Sequence, residues 1–319
     1  MPLPDRVPKF AELPVVPDAP PRSAWGVFGR DDQLGTLNFL TPERRRAAAQ
    51  LVRRGVVFNL DLPLNLPVKP LIEHRTLYKR TQFVLGQNAG RDDYLDGFYL
   101  QASSQWDGLR HVRHSEHGFY NWTSDDQVDG GDGPLGMQRY AECSISGRGV
   151  LLDVARHLRS RGDDFRPDSL RPIPCELLDQ VAEAEQVALS PGDIVAMRTG
   201  LAAVLHQEAA NPERAVRPMD TAGLLADDAT LAWLWDHQLA AVVSDNVAVE
   251  MRPWQRLPGV RRLHDEAIPL LGLFFGELFD LEALAEDCAN DGLYEFLFVS
   301  KPLMLPGGVG SPANALAMK

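Results

Sequence analysis

Cysteine is scarce in this chain. Cys143, Cys175 and Cys288 are the only three in 319 residues, and no two of them form a C-x-x-C pair. That scarcity excludes a disulfide framework and a zinc knuckle, and reads as three buried thiols in a reducing compartment. Long apolar runs are missing too. Stretches such as Ala267 to Gly276 are interrupted and far shorter than the roughly 20 residues that a membrane helix needs. The opening MPLPDRVPKF has no apolar segment of the kind a secretory signal carries, which points to a cytoplasmic protein with no membrane partner. Positive charge is also in short supply. The formal net charge is −12 with both signs interspersed, so there is no basic stripe of the sort that nucleic acid or an anionic membrane rewards. A small molecule is the expected partner.

What is present is enough to fold. With 45% hydrophobic residues over 319 positions, the chain can bury a substantial core. Residues 1–22 carry seven prolines and little apolar periodicity, which predicts an extended arm, either disordered or laid over a neighbouring subunit. No repeat or linker divides residues 23–319, so a single α/β domain is expected there. Thr41-Pro42-Glu43 opens a helix that runs towards Gly55, and Val56 to Leu62 alternates as a strand does. Gly149 to Asp153, Asp193 to Arg198 and Ala240 to Asp245 are short β-rich runs ending in a polar residue, with helices predicted between them over Pro174–Val187 and Asp227–Gln238. The stretches 85–98 and 123–138, rich in Gly, Asp and Asn, read as long loops.

Two clusters could carry chemistry. In the run from Tyr99 to Asp107, strand alternation places Gln101, Ser103, Gln105 and Asp107 on one face and Leu100, Ala102, Ser104 and Trp106 on the other. Four polar groups on one face suit the floor of a polar site, or the solvent side of an edge strand. Gly108-Leu109-Arg110 then returns His111 close to Asp107, with His114 and His117 following. His111 is a candidate ligand or general base; His114 and His117 read as loop histidines. The second cluster pairs His264, in a predicted helix over Arg261–Leu271, with Glu277 at the end of the strand-like Leu273–Glu277. Carboxylate and imidazole are natural ligands of a divalent ion, although an ion-paired glutamate and a surface histidine would share this spacing. Gly307 to Ser311 lacks the Lys-Ser/Thr of a phosphate loop and reads as a backbone turn.

Together the clusters resemble the cyclase family that includes bacterial kynurenine formamidase and isatin hydrolase. Its signature, H-x-G-T-H-x-D-x-P-x-H, aligns with Gln101 to His111. Ser23-Ala24-Trp25-Gly26, Asp32 to Asn38, Phe119-Tyr120-Asn121 and Gly310-Ser311-Pro312-Ala313 are similar to the long-chain branch of that family. The resemblance implies an α/β fold with a mixed, barrel-like sheet flanked by helices, assembled as a homodimer or homotetramer. It implies Asp107, His264 and Glu277 as metal ligands and His111, with Glu277, as catalytic. Gln101 and Gln105 occupy two further ligand positions where the family has histidine. A carboxamide oxygen is a weaker donor than imidazole, so the expected cofactor is a divalent ion, Mn²⁺ or Zn²⁺, held weakly or not at all. Trp106, Phe119, Tyr120 and Trp122, with Phe98, are candidates to contact substrate, although alternation turns Trp106 away from the polar row. The implied reaction is hydrolysis of an amide, cyclic amide or ester. A metal-free lyase or cyclase, and a non-catalytic binding protein on the same fold, stand beside it.

Overall fold

The computed structural model describes residues 3–319. In chain order it contains α1 (Pro42–Ala49), β1 (Val57–Asn59), β2 (Lys79–Leu85), β3 (Gly90–Asp96), β4 (Gln105–Asp107), α2 (Asp125–Asp129) and α3 (Met137–Cys143). Next come β5 (Ile145–Leu152), α4 (Val154–Ser160), β6 (Pro172–Ile173), α5 (Cys175–Ala184), β7 (Ile194–Met197) and α6 (Leu201–Ala210). They are followed by β8 (Gly223–Leu224), α7 (Asp228–Asp236), β9 (Ala241–Ser244), α8 (Leu263–Leu271) and β10 (Phe274–Glu277). The chain ends with α9 (Glu282–Asp291), β11 (Glu295–Ser300), β12 (Gly310–Pro312) and β13 (Ala315–Met318). As expected, Thr41 caps α1, its hydroxyl accepting from Arg44 N at 3.3 Å. No helix among the described residues is long and apolar enough to cross a membrane.

Nine strands form one curled, half-barrel sheet in the order β1-β13-β11-β5-β7-β9-β10-β4-β12. Its middle, β5-β7-β9-β10, is parallel. Every residue of β7 and β9 is buried, as their unbroken runs of Ile, Val, Ala and Met require of strands covered on both sides. Antiparallel strands flank this block, with β11 against β5 on one side and β4 against β10 on the other. The register of the last pair places Phe275 opposite Asp107 and Glu277 opposite Gln105. Residues two apart on a strand share a face, so one face of β4–β10 carries Gln105, Asp107, Phe275 and Glu277. Trp106 and Gly276 are left for the other.

Helix α8 stands over the polar face, and segments from the N-terminal third brace it. Trp25 Nε1 donates to Pro269 O at 2.7 Å and Ala24 N to Leu270 O at 2.8 Å. The helix ends at Gly272 in the left-handed region, φ 67°. A Cβ on Gly35 would lie 2.1 Å from Gly272 O, so this contact tolerates no side chain. Asp32 accepts from Gly35 N, Asn38 and Tyr120 Oη, and Asn121 ties three carbonyls of the same loop. These loops, which carry the family-like motifs, therefore work as a frame for α8.

Three expectations need correction. The strand predicted from Tyr99 shortens to Gln105–Asp107, because side chains there take over backbone partners. Ser104 Oγ accepts from Leu62 N at 2.7 Å and donates to Leu278 O at 2.5 Å. The stretch 85–98 is not a loop: it contributes β3 to an exposed hairpin with β2, turned through Gly86–Ala89, where Gly86 and Asn88 take positive φ. Both hairpin faces are exposed, so no apolar alternation marked it in the sequence. Within 123–138, Ser124 caps the short helix α2. The proline-rich arm, which begins outside the described residues, is not disordered but packs on its own chain. Phe10, Leu13 and Ala19 are buried in the main core, Trp235 Nε1 donates to Pro8 O at 2.9 Å, and Phe10 N donates to Asp236 at 2.7 Å.

Candidate active site

The strand register and α8 bring Asp107, His264 and Glu277 together, all three buried. One ligand atom from each lies within 4.8 Å of the others. His264 Nε2 is 3.2 Å from Asp107 Oδ2 and 3.1 Å from Glu277 Oε1. On its other side, Nδ1 meets Glu250 Oε1 at 3.0 Å, and the His264 backbone N–H donates to Glu250 Oε2 at 3.2 Å. Glu250 thus serves an open N–H in the first turn of α8 and orients the ring. Phe275, on the same sheet face, packs its ring 5.0 Å from that of His264.

Gln101 and Gln105 enter this cluster through their nitrogens. Gln101 Nε2 donates to Asp107 Oδ1, and Gln105 Nε2 donates to Glu277 Oε2. Each amide therefore clamps a carboxylate instead of offering its own oxygen as a ligand. Gln101 reaches Asp107 because Gly310 lies opposite Asp107 in the sheet: a Cβ there would stand 2.6 Å from Gln101 Cγ and Cδ. The Gly307–Ser311 run is, as read from sequence, a turn that leads into β12.

His111 sits just beyond β4 at the cluster's edge, with its side chain 22% exposed. Its Nε2 is 3.7 Å from Asp107 Oδ2 and its Nδ1 is 3.3 Å from Gln101 Nε2. Arg110 anchors this turn by donating to the carbonyls of Gly131, Gly307, Gln127 and Val128. His114 and His117 stack on each other, ring centroids 4.6 Å apart, in a separate turn.

The electrostatics follow from burial and from the mixed charges. Burial lowers the His111 imidazole; the Asp107 charge opposes this, while those of His264, Arg262 and Arg75 add to it. Burial also works against a charged His264, but the Glu250 charge and the bonds to Asp107, Glu250 and Glu277 carry it well above its ordinary range. Burial would raise Asp107, yet His111 and His264 hold it well below. Glu277 is raised, by burial first and then by the Asp107 charge.

The site fits a divalent ion through its donor set. With Nδ1 hydrogen committed to Glu250, His264 turns the Nε2 lone pair towards two carboxylate oxygens. That arrangement is repulsive unless a proton or a cation stands between them, and it matches the carboxylate–histidine support of metal ligands. Bonds of roughly 2.0–2.2 Å put neighbouring ligand atoms about 3.0–3.5 Å apart, which the observed 3.1 and 3.2 Å separations meet.

The cluster opens into a cavity of about 350 Å³ lined by His74, Arg75, His111, Arg252, Trp254 and Arg262, among others. None of the four aromatics Trp106, Phe119, Tyr120 and Trp122 lines it, which corrects that expectation. Trp106 is buried on the opposite sheet face against Phe279 and Phe298 and donates to Ser300. Phe119 and Tyr120 are buried in the main core, where the Tyr120 hydroxyl is satisfied by Asp32. Trp122 packs on Trp25 beneath the Arg30 guanidinium. Phe98 lines an adjoining apolar cavity with Tyr78 and Tyr99. Glu250, Arg75, Arg252 and Trp254 were not singled out from the sequence. Arg75 lies 26 residues before Gln101 and 30 before Gln105, the other three lie 10 to 14 before His264, and no local spacing links them to the ligands.

The family described as "Putative cyclase" matches residues 47–251. A solved structure described as a novel cyclase shares 32% identity, covering 93% of this chain and 99% of its own, with a TM-score of 0.78. Isatin hydrolase A from Labrenzia aggregata, bound to benzyl benzoate, is 15% identical, with 85% of this chain and 94% of its own covered and a TM-score of 0.59. An isatin hydrolase bound to the product analogue thioisatinate is 16% identical over 84% and 93%, with a TM-score of 0.58. At these identities the last two share the fold. No curated protein matches the sequence.

Proposed function

Because the chain belongs to this cyclase family, we propose that it is a metal-assisted hydrolase of a small cyclic amide, amide or ester. The observation that carries the reading is His264, backed by Glu250 on Nδ1 and facing Asp107 and Glu277 with Nε2, at the floor of a cavity that His111 also lines. Asp107, His264 and Glu277 would hold the ion, three protein ligands being the number that leaves a coordination position open. When bound, a divalent ion polarises a carbonyl and lowers the pKa of water. Mn²⁺ and Zn²⁺ both suit this nitrogen and oxygen set.

The chain's own residues supply the proton handling. Gln101 donates to Nδ1 of His111, so the neutral ring holds its hydrogen on Nε2, towards Asp107 and the cavity. That hydrogen would bond to the atom that leaves, while Glu277, whose carboxyl is raised by burial, would take the proton of the attacking water and pass it to that atom, so that the ring stays neutral. Gln101 and Gln105 keep those carboxylates in place by donating to their outer oxygens.

A metal-free reading has one observation in its favour. His264, charged, would itself bridge the two carboxylates, and both glutamines already donate to them. Ring opening of isatin, the compound named for two of the structural neighbours, separates the readings. Absorbance is followed with chelator-stripped protein before and after Mn²⁺ or Zn²⁺ is added. Metal-dependent turnover supports the hydrolase; activity indifferent to chelator and ion across lactams and esters supports the metal-free site.

A further inference from the structure

Arginines in this protein are mostly matched with carboxylates, and the cavity beside the His264 cluster holds two that are not. Arg262 is paired with Asp265 at 3.1 Å and faces Glu250 at 3.8 Å. Arg75 donates only to neutral oxygens, Gln101 O and Gln105 Oε1. The Arg252 side chain makes no hydrogen bond or ion pair among the described residues; its backbone alone is engaged, with Thr221. Both side chains are half-buried and line the same cavity as His111, His264 and Glu277. The Arg75 guanidinium is lowered, by burial first, and the Arg252 charge acts in the same direction while Glu277 and Asp107 oppose it. Two like charges near each other in a partly dry cavity, with no carboxylate bonded to either, raise each other's energy. An anion between them removes that cost.

We infer that the substrate carries a carboxylate, apart from the bond that is cleaved, and that Arg252 and Arg75 hold it. The inference rests on the cavity being the reaction chamber proposed above. Guanidinium matches the planar, two-oxygen shape of a carboxylate and stays charged when partly dehydrated. Trp254, two residues after Arg252 and lining the same cavity, offers an apolar surface to the body of a ring-sized molecule. Arg75 also fixes the substrate relative to the chemistry, since it contacts Gln105, which clamps Glu277. Orientation of this kind is what turns binding at one end of a molecule into rate at the other.

The test uses benzoate and its neutral isostere benzamide, titrated by calorimetry into the full-length protein, with wild type and Arg252→Ala in the same metal state. That matching cancels any contribution of the ion to benzoate binding. Wild type should prefer benzoate by about tenfold or more, as charged hydrogen bonds contribute. Arg252→Ala should lose most of that preference while binding benzamide within about twofold of wild type, and Arg252→Lys should fall between. Thermal melts confirm that each variant is folded. Equal affinity for the two probes in wild type, absence of saturable benzoate binding, or a preference that survives Arg252→Ala overturns the inference. Turnover is read separately, on isatin and, since isatin has no carboxylate, on cyclic amides and esters that carry a free one. Discrimination that disappears with Arg252 in a protein without hydrolysis removes the hydrolase reading and leaves the anion site. Hydrolysis with no benzoate preference does the reverse.

Discussion

Removing the Glu250 carboxylate should weaken metal binding without unfolding the chain. Glu250 touches no predicted position for the ion; it acts through His264. Its Oε1 is 3.0 Å from Nδ1 and its Oε2 takes the His264 backbone N–H. Both side chains are only 2% exposed, so water screens neither bond. Orienting partners of metal-bound histidines typically contribute about 10–100-fold in affinity, or roughly 1.4–2.7 kcal/mol. Glu250→Gln keeps the shape and an accepting oxygen but removes the charge, and should sit near tenfold. Glu250→Ala also leaves Nδ1–H without a partner and should approach one hundredfold. Calorimetric titration of the chelator-stripped proteins with Mn²⁺ measures both, and thermal melts establish that the variants are folded. Folded variants that bind within twofold of wild type would refute the reasoning, because His264 would then need no orientation from behind.

Other outcomes follow from the same geometry. His111→Ala should reduce turnover by about 10²–10⁴-fold, while His114→Ala and His117→Ala, in their separate turn, should change it by less than about tenfold; near-normal turnover in His111→Ala contradicts its role. Gly310→Ala places a methyl 2.6 Å from Gln101 Cγ and Cδ, so it should displace the clamp on Asp107 and lower both melting temperature and metal affinity; an unchanged titration would show that Gln101 is dispensable. Burial pushes the Glu185 carboxyl up to about 8, and its Oε2 has no hydrogen-bond partner among the described residues. Because the folded value lies above the unfolded one, its stability contribution is complete below about pH 4.5 and is lost as pH rises towards 8. Glu185→Gln should therefore gain on wild type between pH 5 and pH 9, by about 1 kcal/mol or more, in urea unfolding; a constant difference across that range counts against it.

Much of the frame was readable in the sequence because its signals are local. Thr41 before Pro42 and the apolar runs around Val195 and Val242 each depend on a few neighbouring residues; both strands formed within one position of their expected range, while α1 starts on its cap but stops at Ala49, short of Gly55. Asp107, His264 and Glu277 were joined only through the resemblance. Nothing in their spacing fixes the antiparallel register that sets Glu277 opposite Gln105. Glu250 and Arg252 come from an irregular segment between β9 and α8, positioned by long-range contacts such as the bridge from Thr221 to Arg252, which no periodicity reports. The aromatics were misassigned because a buried Trp or Tyr next to polar residues serves the core as readily as a site. Tyr120 shows this: its hydroxyl is spent on Asp32. The backbone-seeking Ser104 likewise ended the strand that alternation had extended to Tyr99.

The central claim is that Asp107, His264 and Glu277 together hold one divalent ion beside His111. Titration of the chelator-stripped, full-length protein with Mn²⁺, compared with His264→Ala, tests it most directly. The account predicts a single saturable site per chain that His264→Ala abolishes or weakens by at least about tenfold. An absence of saturable binding in wild type, or a site that His264→Ala leaves untouched, would contradict it.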